Sequence, residues 1–130
     1  MRRARVFAAL VLALTMGCAG NREPAGDESD RRTVIVVDNS NWQDVNVFAV
    51  RNGTRFRLGT VASNQTRRFA LPRMLNTAAG DVRLFVDLIG SRMTHLTQPL
   101  NIVDGDRVDL RIHNHLALSN FMVRRAGAWN

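Results

Sequence analysis

"DVNVFAVRNGTRFRLGTV", residues 44–61, is the stretch whose reading decides the fold. Two runs of alternating apolar and polar residues flank Asn52-Gly53. Alternation with period two is the pattern of a strand with one buried face. Asn-Gly between two such runs signals a hairpin, because both central positions of its tight turn need φ > 0. The pairing that follows is self-consistent. With Arg51 opposite Thr54, Ala49 meets Phe56 and Val47 meets Leu58 on one face, while Val50 meets Arg55 and Phe48 meets Arg57 on the other. A slip of one residue would turn every side chain to the wrong face, so this agreement pins the register.

The same pattern continues on both sides. "TVIVVDN" (33–39) is rich in β-branched residues, which favour strands. "TRRFAL" (66–71) is a short strand closed by Pro72, and "RMLNTAAG" (73–80) has room for a helical turn. "DVRLFVDLIG" (81–90) puts Val82, Leu84, Val86 and Leu88 on one face. "RMTHLTQPLNIV" (92–103) and "RVDLRIHNHL" (107–116) flank Asp104-Gly105 and read as a second hairpin. Leu96, Leu100 and Ile102 point inward on its first run, and Val108, Leu110 and Ile112 on its second. "NFMVRR" (120–125) is a last strand. Seven or eight short strands with a turn every ~8–12 residues predict an all-β domain over 33–130, a single small antiparallel β-sandwich, with an open β-barrel as the alternative.

The first residues carry an address. Arg2, Arg3 and Arg5 precede "VFAALVLAL" (6–14), an uncharged apolar run shorter than the ~20 residues a spanning helix takes. A basic head, a short apolar middle and small residues make a secretory signal peptide over 1–17. Gly17 then precedes Cys18, the single cysteine, which has no internal disulfide partner. This arrangement resembles the lipobox of bacterial lipoproteins, although Leu14 lies four residues before the cysteine where that family prefers three. The resemblance implies cleavage before Cys18 and acylation of its thiol with a diacylglycerol, usually with a third, amide-linked chain. Stable anchoring takes more than one acyl chain, which this modification supplies. In that family Asp at the next position favours the inner membrane, so the resemblance, with Ala19 there, implies an outer-membrane anchor facing the periplasm. Residues 18–32 are the acylated cysteine and a tether. "AGNREPAGDESDRR" (19–32) holds no large apolar residue and is expected to be disordered, spanning about 20 Å as a flexible coil.

Charge narrows the partners. All 18 basic residues are arginine, and the formal net charge is +7. Loss of Arg2, Arg3 and Arg5 with the signal leaves fifteen arginines against eleven acids, a net of +4. An export signal and few aromatic platforms, with no Tyr at all, argue against nucleic acid as a partner. Arg55, Arg57, Arg67 and Arg68 fall on neighbouring strands and form a candidate patch for anionic headgroups or cell-wall polymers. The plainer reading of the same arginines is a solvated strand face that keeps the sheet from edge pairing.

Met93 and His95 are two apart, as are His113 and His115, so each pair shares a strand face. A hairpin at Asp104-Gly105 sets either His113 or His115 opposite His95, with Cβ atoms ~4.5–5.5 Å apart. Imidazole suits copper and zinc, and a thioether selects Cu(I). These four residues, with Met122 as a further ligand, are therefore the candidate site of a periplasmic copper- or zinc-binding protein. Catalysis finds less support. None of the five serines sits in a G-x-S-x-G elbow, and no Gly-rich phosphate loop is present. The leading expectation is a non-catalytic, membrane-anchored envelope lipoprotein, a binding or assembly module for an envelope protein or an anionic polymer.

Overall fold

The Asn52-Gly53 turn forms as its residues dictate, with φ of 49° and 76°. It joins β2 (Val45–Arg51) to β3 (Thr54–Val61). Arg51 faces Thr54, Val50 faces Arg55, Ala49 faces Phe56 and Phe48 faces Arg57. Beyond Phe48 the register shifts, so Val47 faces Gly59 and Leu58 becomes the extra residue of a β-bulge. The expected Val47–Leu58 pair is therefore replaced. The bulge brings a residue without a Cβ to an inward position, where the Phe69 ring of the other sheet lies. A Cβ on Gly59 would stand 2.6 Å from Phe69 Cε1.

In the computed structural model the described residues are 32–75 and 81–127. The signal sequence, Cys18 and almost all of the tether lie outside them, as does the latter part of 73–80. The remaining strands are β1 (Val34–Asn39), β4 (Gln65–Ala70), β5 (Arg83–Leu88), β6 (Thr94–Leu96), β7 (Arg107–Ile112) and β8 (Asn120–Arg124). They form two four-stranded sheets, β4-β1-β7-β8 and β3-β2-β5-β6, which stay separate and close no barrel. The only helical pieces among the described residues are single 3₁₀ turns at Arg73–Leu75 and Leu116–Leu118. The small β-sandwich is thus the architecture, with one amendment to the antiparallel expectation: β1 and β7 pair in parallel. Parallel neighbours need a long crossover, and here the chain between them builds the other sheet and β4.

Between the sheets, Ile35, Val37, Val108, Leu110 and Ile112 meet Val45, Val47, Ala49, Leu84, Val86 and Leu88, all buried. Val82, Leu84, Val86 and Leu88 share the inner face, as their alternation predicts. Each large aliphatic side chain removed from water contributes about 1.5–3 kcal/mol.

The second predicted hairpin does not form. The Asp104-Gly105 turn exists, with Gly105 at φ 86° and the Asp106 amide donating to Val103 O at 3.1 Å. Its flanks, however, go to different sheets: β6 pairs with β5, whereas β7 pairs with β1 and β8. Pro99 explains the divergence, since it has no N–H to offer a ladder. Just before it, Thr97 replaces the ladder locally: its amide donates to Leu84 O and its Oγ1 accepts from the Leu84 amide, both at 2.9 Å. After a single bridge between Leu100 and Val82, the chain crosses between the sheets with Leu100 and Ile102 buried. The parity of β6 is also the reverse of the expectation. His95 faces Val86 on the inner side, and Leu96 faces Phe85 on the outer side.

The strands run between two ends of the sandwich. At the entry end the chain joins β1 at Arg32–Thr33, and segments 71–75, 97–106 and 125–127 gather there. At the loop end lie the connections 40–44, 62–64, 89–93 and 113–119.

Candidate functional site

The four residues of the predicted metal face do not share one hairpin. His95 lies on β6 at the edge of one sheet, while His113 and His115 follow β7 in the other. Met93 precedes β6 and is half exposed, and Met122 stands on the outer face of β8 opposite Asp109. The cross-strand contact that would bring His95 against His113 or His115 is absent. Among the described residues no three His, Cys, Asp or Glu side chains gather into a metal-holding group. His95 instead lines a hollow with Thr97, Gln98, Ser119, Asn120 and Phe121 at the open seam between the sheets. Partial burial there lowers its pKa below the ordinary 6.5.

The four candidate arginines are likewise separated. Arg55 lies over the Phe85 ring, 3.9 Å from its centroid, on the outer face of the β3-β2-β5-β6 sheet, a cation–π geometry. Arg57 Nη2 donates to Thr60 Oγ1 at 2.7 Å and to Asn46 Oδ1 at 3.2 Å on that same face. Arg67 and Arg68 are consecutive, so they point to opposite faces of β4. Arg67, opposite buried Val37, reaches across the open edge and donates to Thr60 O at 2.9 Å. Arg68, opposite Val36, stands on the outer face of its own sheet. The predicted single patch is therefore two outer faces and an edge.

The loop end holds Met93, His113 and His115 of the predicted metal face, but what organises it is a network of hydrogen bonds. Asn39 is fully buried there. Its amide nitrogen donates to Gln43 O at 2.9 Å, Ala62 O at 3.1 Å and Val61 O at 3.2 Å. Its Oδ1 accepts from the Asn41 amide at 3.0 Å. Asn41 repeats the device: Oδ1 accepts from the Gln43 amide and Nδ2 donates to His113 O and Asn114 O. Asn and Asp side chains hold turns in this way by bonding the backbone two residues on. Asn114 Oδ1 then accepts from the Trp42 amide at 3.1 Å. Ser63 Oγ donates to Asn41 O at 2.8 Å and its amide to Asp44 Oδ1 at 2.9 Å. The Ile89 amide donates to Asp44 O at 2.9 Å. Four loops from two sheets are thereby one hydrogen-bonded platform.

On it stand Trp42, 79% exposed, with Leu118, Met93 and Ile89. Single exposed apolar residues are ordinary. Here four of the eight large exposed hydrophobics of the described residues fall on three of the four tied loops. Those loops carry only two charged side chains, Asp44 and Arg92. Aromatic and Met enrichment with depleted charge is the composition of a protein-interface core, and Trp is among the side chains enriched as anchors of one. The sequence signal was "DNSNWQD" (38–44), a Trp between turn-forming amides.

The chain matches no protein-family model and no curated protein. Among solved structures, the NMR structure of a protein from Eubacterium rectale is similar, with a TM-score of 0.46 and 14% identity, over 78% of this chain and 96% of that one.

Proposed function

We propose that this protein is an exported lipoprotein, anchored through Cys18 in the outer membrane, whose sandwich is a non-catalytic binding or assembly module for an envelope protein. The observation that carries the binding role is the hydrogen-bonded, nearly uncharged loop end with Trp42 exposed on it. The anchor rests on the signal and lipobox residues 1–18. The two readings fit together, because the tether joins β1 at the entry end, the end remote from Trp42. A tether there leaves the apolar loops facing away from the anchoring bilayer, towards a partner.

The test is in-cell photocrosslinking of the full chain, with the reactive group at position 42 or, as the control, at Met74 on the entry end. The reading predicts one discrete protein adduct from position 42, lost when Leu118→Asn is added and missing from position 74. The same adducts from both positions, or none from position 42, contradict it. The mass of the protein extracted from membranes tests the anchor directly: the diacylglycerol adds to a chain that starts at Cys18.

A further inference from the structure

On the outer face of the β4-β1-β7-β8 sheet, a groove of about 720 Å³ opens at the entry end. Its floor is Val34 with its cross-strand partner Ala70. Arg68 on β4, Arg107 on β7 and Arg32 at the start of the described chain surround it. The one carboxylate that lines it, Asp106, is buried and occupied. It accepts from Arg125 Nη1 at 2.7 Å, the Val103 amide at 3.0 Å and the Ala126 amide at 3.0 Å. Arg107 is ion-paired with Asp109, Nη2 to Oδ1 at 2.7 Å. Arg32 and Arg68 have no carboxylate partner among the described residues. Beside Arg107, its cross-strand partner Arg124 shares the same carboxylate, Nε to Asp109 Oδ2 at 2.9 Å, and further along the face Arg111 pairs with Asp38 at 3.2 Å. Arginine is therefore in excess only at the entry end of this face.

We propose that this groove takes the phosphate of an anionic phospholipid headgroup in the membrane that anchors the chain. The inference rests on the reading of Cys18 as the lipid attachment site. Guanidinium groups are the side chains best matched to phosphate oxygens, through paired N–H donors. Arg32 is both a wall of the groove and the last residue of the tether. A coil of the tether's length is expected to span only about 20 Å, which keeps the entry end within reach of the bilayer surface. Tethering also raises the local headgroup concentration to the millimolar range or above, so an open groove with weak affinity per headgroup suffices. The result is an orientation lock: the lipid keeps the domain near the membrane, and the groove decides which end faces it.

The test uses the full acylated chain in nanodiscs of phosphatidylcholine with increasing phosphatidylglycerol, read by amide NMR shifts of Val34, Ala70 and Gly105. The proposal expects saturable, phosphatidylglycerol-dependent shifts at these residues. The apparent affinity for phosphatidylglycerol should fall roughly fivefold for Arg68→Gln and roughly 30-fold for R32Q/R68Q, where saturation is no longer reached. Shifts that are absent, or indifferent to both substitutions, overturn it. So does the same saturation by inorganic phosphate in pure phosphatidylcholine discs, which would mark a site for a free anion. Failure of the anchor reading shows separately, as a chain whose mass lacks the lipid and which does not enter the discs.

Discussion

The two ends of the sandwich are built from the same strands and differ in almost everything else. The loop end is sealed by amide side chains, with Asn39 and Asn41 buried at its centre and two charges in its four loops. The entry end is organised around a carboxylate, Asp106, and an excess of arginine. Amides neutralise backbone donors and acceptors without adding charge, so the loop end can present Trp42 on an uncharged surface. A carboxylate does the same task only with a cationic partner, and Arg125 supplies it. The contrast teaches that how an end satisfies its buried backbone decides what kind of surface is left for function.

The strongest way to break the contrast is Asn39→Asp. It sets a carboxylate against the carbonyls of Gln43, Val61 and Ala62 and strips each of its donor. Each buried group left unpaired costs about 1–3 kcal/mol, so a loss of about 3 kcal/mol or more is expected in urea unfolding. An unchanged midpoint would remove the platform from the account. At the other end, Asp106→Ala leaves the Val103 and Ala126 amides without their acceptor. About 2 kcal/mol should be lost by the same measurement, with partner capture at position 42 intact in the folded fraction. Trp42→Ala separates binding from stability. Partner affinity should fall at least about 30-fold, as for a central interface anchor, while the melting temperature stays within a degree or two.

The smallest effect is acidic. Burial lowers the pKa of His95 below 6.5, so the unfolded chain takes up its proton first as the pH falls. The stability tied to this group is fully present above about pH 6.5 and declines as the pH drops through the folded-state value. His95→Gln should therefore lessen the stability lost between about pH 7.5 and pH 5.5. Equal losses in the two proteins would mean that His95 is not the group responsible.

The strands were legible because their signal is local. Asn52-Gly53 and the alternation around it set a true hairpin, and Val82 to Leu88 declared their buried face. Asp104-Gly105 looked equivalent and was not. A turn pair fixes only the turn; pairing needs flanks that can continue a ladder, and Pro99 with Thr97 ended one of them. The shared metal face depended on which strands become neighbours, as did bringing Arg55 and Arg57 beside β4, whereas the split between Arg67 and Arg68 is local, since consecutive strand residues face opposite sides. Topology is decided by distant partners: β7 lies against β1, more than 60 residues earlier in the sequence. The loop platform was hidden for the same reason. Asn39, Asn41, Ser63, Ile89 and Asn114 carry no motif, and only the fold brings them together.

The orientation of the anchored domain tests the account most directly. Met74 at the entry end and Leu118 at the loop end are equally exposed, at 66%. With Cys18 acylated, a cysteine placed at either position is the only free thiol of the chain. Six-residue strands at ~3.3 Å per residue separate the two ends by about 20 Å. Spin labels at Met74→Cys and Leu118→Cys in the reconstituted full chain should then differ sharply in relaxation by a lipid-bound paramagnet. The account predicts strong relaxation at position 74 and weak relaxation at position 118. Equal relaxation at both, or the reverse order, would contradict it.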